Sequence, residues 1–221
     1  MLDTPTARIP LIQRLEKNDL DWAADFLTNV FLLGPPITKL FAPRHLPRQL
    51  RYFMRCNAAL ALNSGECFAT DARDGVALWL RPGRTSMTLR DMWQAGMFRA
   101  PLEYGLLATL KVLGFAYHVD AMHKRCAPMP HYYLFLIGVD PQQQRQGVST
   151  ALVNDMLARI DAEGLPVFLE TQSRGNVEIY EKLGFVVVEK RPFPGAATVY
   201  NWGMLRPPRA PRGGKASLSP G

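Results

Sequence analysis

The stretch PQQQRQGVST, at residues 141–150, has the residue types of an anion-binding site. It separates an apolar run from a helical pattern, so its backbone N–H groups from Arg145 to Thr150 stand at the amino end of a helix. These donors have no partners inside the helix, and the helix dipole adds roughly half a positive charge. Gly147 lets the backbone approach a ligand closely, and the hydroxyls of Ser149 and Thr150 can reach a phosphate. A phosphate or pyrophosphate is indicated, although polar residues also begin many helices that bind nothing.

The elements on either side of this stretch predict a strand, helix, strand unit. Tyr132–Val139 is a nearly continuous apolar run, typical of a strand buried on both faces in the middle of a sheet. Apolar residues recur at helical spacing over residues 147–163, and residues 165–171 return as a strand. Such a unit pairs its strands in parallel through a right-handed crossover. Gly138 is unusual in such a strand, and a glycine there often marks a bulge that turns backbone groups toward a ligand.

The rest of the chain reads as alternating short strands and helices. Asp19 is expected to cap the first helix, and the turn signal DARDG joins two strands into a hairpin. Residues 88–124 read as about two helices, with breaks at Gly96, Pro101 and Gly114. The other expected elements are a strand at residues 9–15, a helix at 48–60, strands at 67–70 and 76–80, a short helix at 177–183 and an antiparallel pair around 192–197.

The composition of the 221-residue chain is that of an ordinary globular protein, with 48% hydrophobic and 20% charged residues. Its net charge of +7 is weak evidence for polyanion binding, because four of its cations lie in a terminus without acids, and removing those four leaves +3. They are Arg206, Arg209, Arg212 and Lys215. We expect this Pro-, Gly- and Ser-rich terminus to be disordered, and we expect no nucleic-acid partner.

The apolar stretches of the sequence do not have the form of targeting or membrane segments. The amino terminus lacks the unbroken apolar core of a secretory signal. Residues 92–119, the longest apolar stretch, are interrupted by Arg99, Glu103 and Lys111. We therefore expect a soluble, cytoplasmic protein with no membrane partner, although this stretch is compatible with lying on a surface. Three cysteines without a C-x-x-C pair fit reduced thiols.

Two blocks in order, VDPQQQRQGVSTAL and VFLETQSRGNVEIYEKLGF, resemble the GNAT superfamily of acyl-CoA N-acyltransferases. The superfamily signature reads [RQ]-x-x-G-x-[GA], and its positions fall on Gln144, Gly147 and Ser149. Members usually have glycine where Arg145 stands and Gly or Ala where Ser149 stands. The sequence of the second block, with YEKLGF from Tyr180, is similar to the corresponding sequence of puromycin-type antibiotic N-acetyltransferases, so antibiotic resistance is one compatible role.

This resemblance implies an α+β (mixed α/β) fold. It predicts a central, mostly antiparallel twisted sheet with one splayed parallel strand pair and helices on both faces. We expect a single domain over residues 1–206, in which residues 84–130 form a helical insertion that covers the acceptor site. Residues 207–221 are then a disordered basic tail.

The resemblance also implies acetyl-CoA as co-substrate and no metal. Its pyrophosphate would lie on the polar turn, its pantetheine arm would pair with the end of the central strand, and the Val139 N–H could stabilise the oxyanion of the attacked thioester. The expected cofactor-binding residues are Ile137, Gly138, Val139, Gln144, Arg145, Gln146, Gly147, Val148, Ser149, Thr150 and Asn176.

Two side chains are candidates for the chemistry of acetyl transfer. Glu170, at the end of the strand after the crossover, is the preferred general base, directly or through water. Tyr180 resembles the family tyrosine that protonates the departing thiolate. The weaker candidates for the base are His131, Asp140 and His118.

The acceptor is expected to be the primary amine of a small molecule. Its pocket would be built from residues 33–46, residues 88–124 and the PFPGAA loop at residues 192–197. Aromatic residues of the insertion favour a bulky, partly apolar acceptor, though such residues are more often core. The alternatives are a protein or peptide N-acetyltransferase and a non-catalytic acyl-CoA-binding module, and a homodimer is compatible with each.

Overall fold

One mixed sheet organises the protein. The computed structural model describes residues 10–34, 37–193 and 196–209. Within these ranges seven strands pair in the order β1-β2-β3-β4-β5-β7-β6. All neighbours are antiparallel except β4 and β5, which are parallel. The strands are β1 (Ile12–Arg14), β2 (Gly65–Thr70), β3 (Gly75–Leu80), β4 (Tyr132–Val139), β5 (Val167–Thr171), β6 (Val186–Phe193) and β7 (Ala196–Arg206).

Helices cover both faces of this sheet. Strand β5 shows the division, because Phe168 joins one apolar cluster with α1, α2 and α5, whereas Leu169 joins the other with α6 and α7. The alternation of side chains along a strand produces this two-sided burial. The helices are α1 (Leu20–Leu32), α2 (Leu46–Ser64), α3 (Leu89–Gln94), α4 (Ala100–Tyr104), α5 (Leu106–Cys126), α6 (Val148–Glu163) and α7 (Arg174–Lys182). The predicted fold class is therefore confirmed.

The segment between β3 and β4 differs from the prediction in its helix boundaries. Three helices form instead of about two, because glycines with positive φ end α3 and α4, at Gly96 (φ 80°) and Gly105 (φ 78°). Pro101 lies in the first turn of α4, a position that proline tolerates. Gly114 lies inside α5 and does not break it. None of the helices in the described ranges is long and apolar enough to cross a membrane.

Two charged side chains act differently from the sequence prediction. The Asp19 carboxylate does not cap α1; it accepts hydrogen bonds from the Glu16 backbone N–H and the Arg73 guanidinium. Arg206, which we had counted with the terminal cations, is the last residue of β7 and only 2% exposed. It donates two hydrogen bonds to Asp161, of 2.6 and 2.7 Å. Residues 210–221 of the predicted tail lie outside the described residues.

Candidate active site

The two parallel strands at the centre of the sheet pair over only part of their length. Three register pairs join them, and the last is Leu134↔Leu169. Beyond it β4 continues to Val139 and β5 to Thr171 without pairing to each other. A wedge therefore opens between the carboxyl ends of β4 and β5, which is the splaying expected of this parallel pair.

A β-bulge in β4 coincides with the start of this wedge. Leu78 of β3 pairs with Leu136 while the next residue, Trp79, pairs with Leu134, so Phe135 is the extra residue. Both Phe135 and Leu136 pack on the cluster of α1, α2 and α5. Sequence reasoning considered a bulge at Gly138, but the bulge lies three residues earlier, at Phe135. The continuous apolar run gives no signal of which residue is extra.

The bulge sets the direction of the residues expected to hold pantetheine. Because it reverses the side-chain alternation, Ile137 and Val139 pack on the cluster of α6 and α7. Gly138 faces α1, where a Cβ would lie 3.1 Å from Leu27 Cδ2, so this glycine serves close packing. The Asp140 N–H bonds to the β3 side, at Asp74 O. Successive backbone groups alternate, so the Val139 N–H and C=O point to the wedge.

The polar turn after β4 is built by two residues with positive φ. Asp140 caps a short 3₁₀ helix, Pro141–Gln143, by accepting from the Gln142 N–H. Arg145 then has a φ of 64° and Gly147 a φ of 87°. The first of these is the position where GNAT members usually have glycine, and Arg145 occupies the left-handed region at a steric cost of about 1–2 kcal/mol. Arg145 is exposed and has no ion-pair partner among the described residues.

The start of α6 leaves backbone donors available. Gly147 is its N-cap and provides no side-chain acceptor, so the first-turn N–H groups of Val148, Ser149 and Thr150 lack intrahelical partners. Val148 is buried, while Ser149 and Thr150 are half-buried. This arrangement has the donors and positive dipole end that a phosphate group requires.

The two remaining glutamines of the signature stretch bond within the turn. Gln144 Nε2 lies 3.5 Å from Val139 O, the carbonyl that points to the wedge, and Gln146 Nε2 donates to Gln142 O at 3.0 Å. Gln144 therefore joins the polar turn to the open edge of β4.

Glu170 lies on the wall of the wedge contributed by β5. Its Oε2 accepts a 2.8 Å hydrogen bond from the Tyr133 hydroxyl, while its Oε1 is buried without a partner among the described residues. Burial raises the pKa of Glu170 to about 8; the Tyr133 hydrogen bond opposes this rise and the charge of Asp120 adds to it. A carboxyl with such a pKa can exchange protons near neutral pH.

Tyr180 lies on the other face of the sheet from Glu170. It is buried on α7, packs against Phe185 at a ring distance of 5.7 Å, and belongs to the cluster that contains Val148 and Val139. Its hydroxyl has no hydrogen-bond partner among the described residues, and burial alone raises its pKa above the ordinary value. The two catalytic candidates therefore lie on opposite faces of the sheet.

Asn176 lies on the first turn of α7 and is exposed. Its Nδ2 donates to Thr171 Oγ1 at 3.3 Å, at the end of β5. The side chain is thus near the mouth of the wedge.

The weaker candidates for the general base have other surroundings. His131 is 4% exposed and its Nε2 lies 2.6 Å from His123 Nε2, at the opposite end of β4 from the wedge. Asp140 is used as the cap of the polar turn. His118, on α5, has a buried Nε2 without a partner in the described part of the chain, and burial lowers its pKa.

Sequence reasoning missed Tyr133 and the way α5 covers the site. Tyr133 pairs in register with Phe168, so Glu170, two residues later, shares its face. Glycine at position 203 lets α5 approach, because a Cβ there would lie 3.1 Å from Met122 Cε and 3.2 Å from Cys126 Sγ. The contact of Tyr133 with Glu170 could have been predicted only from the pairing register of β4 with β5.

Comparison with known proteins gives a family match and a match to a curated relative. The family model described as an acetyltransferase (GNAT) domain matches residues 104–195. An uncharacterised N-acetyltransferase of Schizosaccharomyces pombe is 28% identical over 118 residues, 51% of this chain and 47% of that protein. The matched region thus spans about half the length of this relative.

Solved structures share the fold over nearly the whole chain. One, from Corynebacterium glutamicum, is described as histone acetyltransferase HPA2 and related acetyltransferase; it has a TM-score of 0.65 and 21% identity, covering 92% of this chain and 99% of that one. The polyamine N-acetyltransferase of Drosophila melanogaster has a TM-score of 0.60 and 15% identity, covering 89% and 99%. At these identities the likeness concerns the fold alone.

Proposed function

Because residues 104–195 match the family model of an acetyltransferase (GNAT) domain, we propose that this protein moves an acetyl group from acetyl-CoA to a primary amine of a small molecule, by direct attack in a ternary complex. One observation carries the proposal: one wedge has the uncapped amino end of α6 at its mouth and the carboxyl of Glu170, with a buried Oε1, on its wall.

Acetyl-CoA fits the donors that line this wedge. Its pyrophosphate would accept from the first-turn N–H groups of α6 and from the exposed Arg145 guanidinium. The pantetheine amides would pair with the open backbone edge at Ile137 and Val139, displacing the Gln144 side chain from Val139 O. The Val139 N–H would then donate to the thioester oxygen as negative charge develops there.

Glu170 would remove the proton that blocks the acceptor. An alkylamine with a pKa near 10.4 is protonated at pH 7, and freeing its lone pair costs about 4.6 kcal/mol. Glu170, directly or through water, takes the ammonium proton, and the freed nitrogen attacks the thioester carbonyl. As the C–S bond breaks, the second proton that the nitrogen loses goes to the departing CoA thiolate. A pKa of about 8 suits this exchange, because the carboxyl is then neither fully ionised nor fully protonated near neutral pH.

Tyr180 would assist the leaving thiolate from the other face. Its pKa lies above that of an ordinary phenol, so complete proton transfer to a thiolate is unfavourable. A hydrogen bond donated to the sulfur as the C–S bond breaks is the role consistent with this acidity.

The insertion would close the acceptor side of the site. The second half of α5 lies over β5, β6 and β7, where Asn201 Nδ2 contacts Met122 Sδ at 3.4 Å and Arg125 pairs with Glu189 at 2.9 Å. A covered site favours a small amine over a peptide, which needs an open groove.

The test is release of CoA from acetyl-CoA across a panel of aminonucleosides, aminoglycosides, polyamines, arylalkylamines and peptides. We expect saturable turnover with at least one small amine. Turnover with peptides alone would indicate a protein acetyltransferase, and CoA binding without turnover would indicate a non-catalytic module.

A further inference from the structure

The helical insertion exposes several large apolar side chains, and we call this group the insertion surface. Each of its members is between 49% and 82% exposed. They are Trp93, Phe98, Leu102, Leu106, Leu110 and Leu113. Single exposed leucines are ordinary, but a group of this size commonly marks a binding surface.

The insertion surface contains two groups of neighbouring side chains. The rings of Trp93 and Phe98 are 5.5 Å apart. Leu106, Leu110 and Leu113 are spaced by four and three residues, which puts them on one face of α5. The opposite face of α5 packs on the core through Ala108 and other apolar residues. The first half of α5 is thus apolar on both sides, and the described part of the chain covers only one of them.

The exposed charges around the insertion surface are positive. Arg90, Arg99 and Lys111 are exposed. The insertion has three acids, and each is paired with a cation. The Asp91 side chain is 7% exposed and pairs with Arg84, and the Glu103 side chain is 19% exposed and pairs with Arg48 and Arg99. Asp120, toward the end of α5, is 41% exposed and pairs with Lys124. A second copy of the chain would bring these cations against each other, whereas an anionic partner would complement them.

We propose that the insertion surface docks this protein on an anionic lipid bilayer, with α5 lying in the plane of the interface. An interfacial helix needs an apolar face, nearby cations and aromatic side chains at its boundary, and no membrane-spanning length. Trp93, and Tyr117 at 77% exposure on α5, supply the aromatic residues that favour this depth. The inference does not depend on the proposed acetyl transfer.

Vesicle flotation with the full chain tests the proposal. We expect binding to vesicles of phosphatidylcholine mixed with phosphatidylserine, at least about tenfold tighter than to phosphatidylcholine alone and weakened by salt. The triple variant Leu106→Gln, Leu110→Gln, Leu113→Gln should lose about tenfold or more of this binding, as should Arg90→Glu with Lys111→Glu. The matched control is Leu11→Gln with Leu33→Gln, which replaces exposed leucines elsewhere and should bind normally.

Because all these side chains are exposed, the melting temperatures should change little, and loss of binding would not reflect unfolding. The proposal is overturned if no vesicle is bound, if the triple variant binds normally, or if deleting residues 210–221 alone abolishes binding. It is also overturned if sedimentation finds a dimer that the triple variant dissociates, since a second copy would then cover this surface.

Discussion

The Tyr133 hydroxyl donates a 2.8 Å hydrogen bond to Glu170 Oε2, and this contact bridges β4 and β5 where their pairing ends. The bond leaves the other carboxyl oxygen, Oε1, without a partner among the described residues. One buried phenol thus holds the carboxyl at the wedge.

This contact predicts how the pH profile responds to Tyr133→Phe. Glu170 must be ionised to accept a proton, so kcat/KM should rise with pH through about 8. The hydrogen bond stabilises the charged form, so its loss should raise the pKa of Glu170 and move this limb up by roughly one pH unit. Tyr132→Phe is the control, because that hydroxyl bonds to Glu163 and should leave the limb in place. If the rise of kcat/KM with pH is not shifted in Tyr133→Phe, Tyr133 does not position Glu170 for proton transfer.

Tyr180→Phe should slow the chemistry without weakening cofactor binding. Removing a donor to the leaving thiolate should lower kcat by about 100-fold while KM for acetyl-CoA changes little. Steady-state kinetics would show the split, and Tyr200→Phe, at a partly exposed position on β7, should behave as wild type. Unchanged turnover in folded Tyr180→Phe would exclude the assignment.

Two glycines with positive φ, Gly147 and Gly164, flank α6. Alanine substitutions at these positions distinguish an effect on cofactor binding from an effect on stability. Gly147→Ala and Gly164→Ala each force an alanine to a φ of 87° or 67°, with no atom within 4 Å of the new Cβ. Each should therefore cost about 1–2 kcal/mol of stability through strain alone. Only Gly147→Ala should also raise KM for acetyl-CoA, since it alters the turn. Equal cofactor affinity in the two variants would contradict a phosphate site there.

The buried histidine pair predicts loss of stability in mild acid. Burial, and then the neighbouring His131, lowers the pKa of His123 to about 4 from 6.5. Between these values the unfolded chain binds a proton that the folded protein does not, so stability falls as pH falls from 6.5 toward 4, by at most about 3 kcal/mol. Urea unfolding at several pH values should show a flatter dependence for His123→Gln, and no such change for the exposed His45→Gln.

Sequence patterns were enough for the elements whose signal is local. The crossover from β4 through α6 to β5 and the hairpin of β2 and β3 follow from apolar periodicity and turn residues. Gly147 was expected to let the backbone approach a ligand closely, and it has a φ of 87° at the start of α6. The roles of the individual cofactor-binding and catalytic residues remain predictions.

The features that escaped prediction depend on partners distant in sequence. The bulge at Phe135 is a property of the β3–β4 pair, and an unbroken apolar run does not indicate which residue is extra. Arg206 appeared to belong to a basic tail, but its buried bond to Asp161 spans 45 residues. The contact of Tyr133 with Glu170 spans 37 residues and required the strand register.

The most direct test of the account compares wild type with Glu170→Gln for CoA release from acetyl-CoA with a small amine that the panel identifies. Glu178→Gln, at an exposed position of α7, serves as the matched control. We expect amine-dependent turnover in wild type and control, and a loss of about 100-fold or more in kcat for Glu170→Gln with acetyl-CoA still bound. Full activity of folded Glu170→Gln, or no amine-dependent CoA release by the wild type, would contradict it.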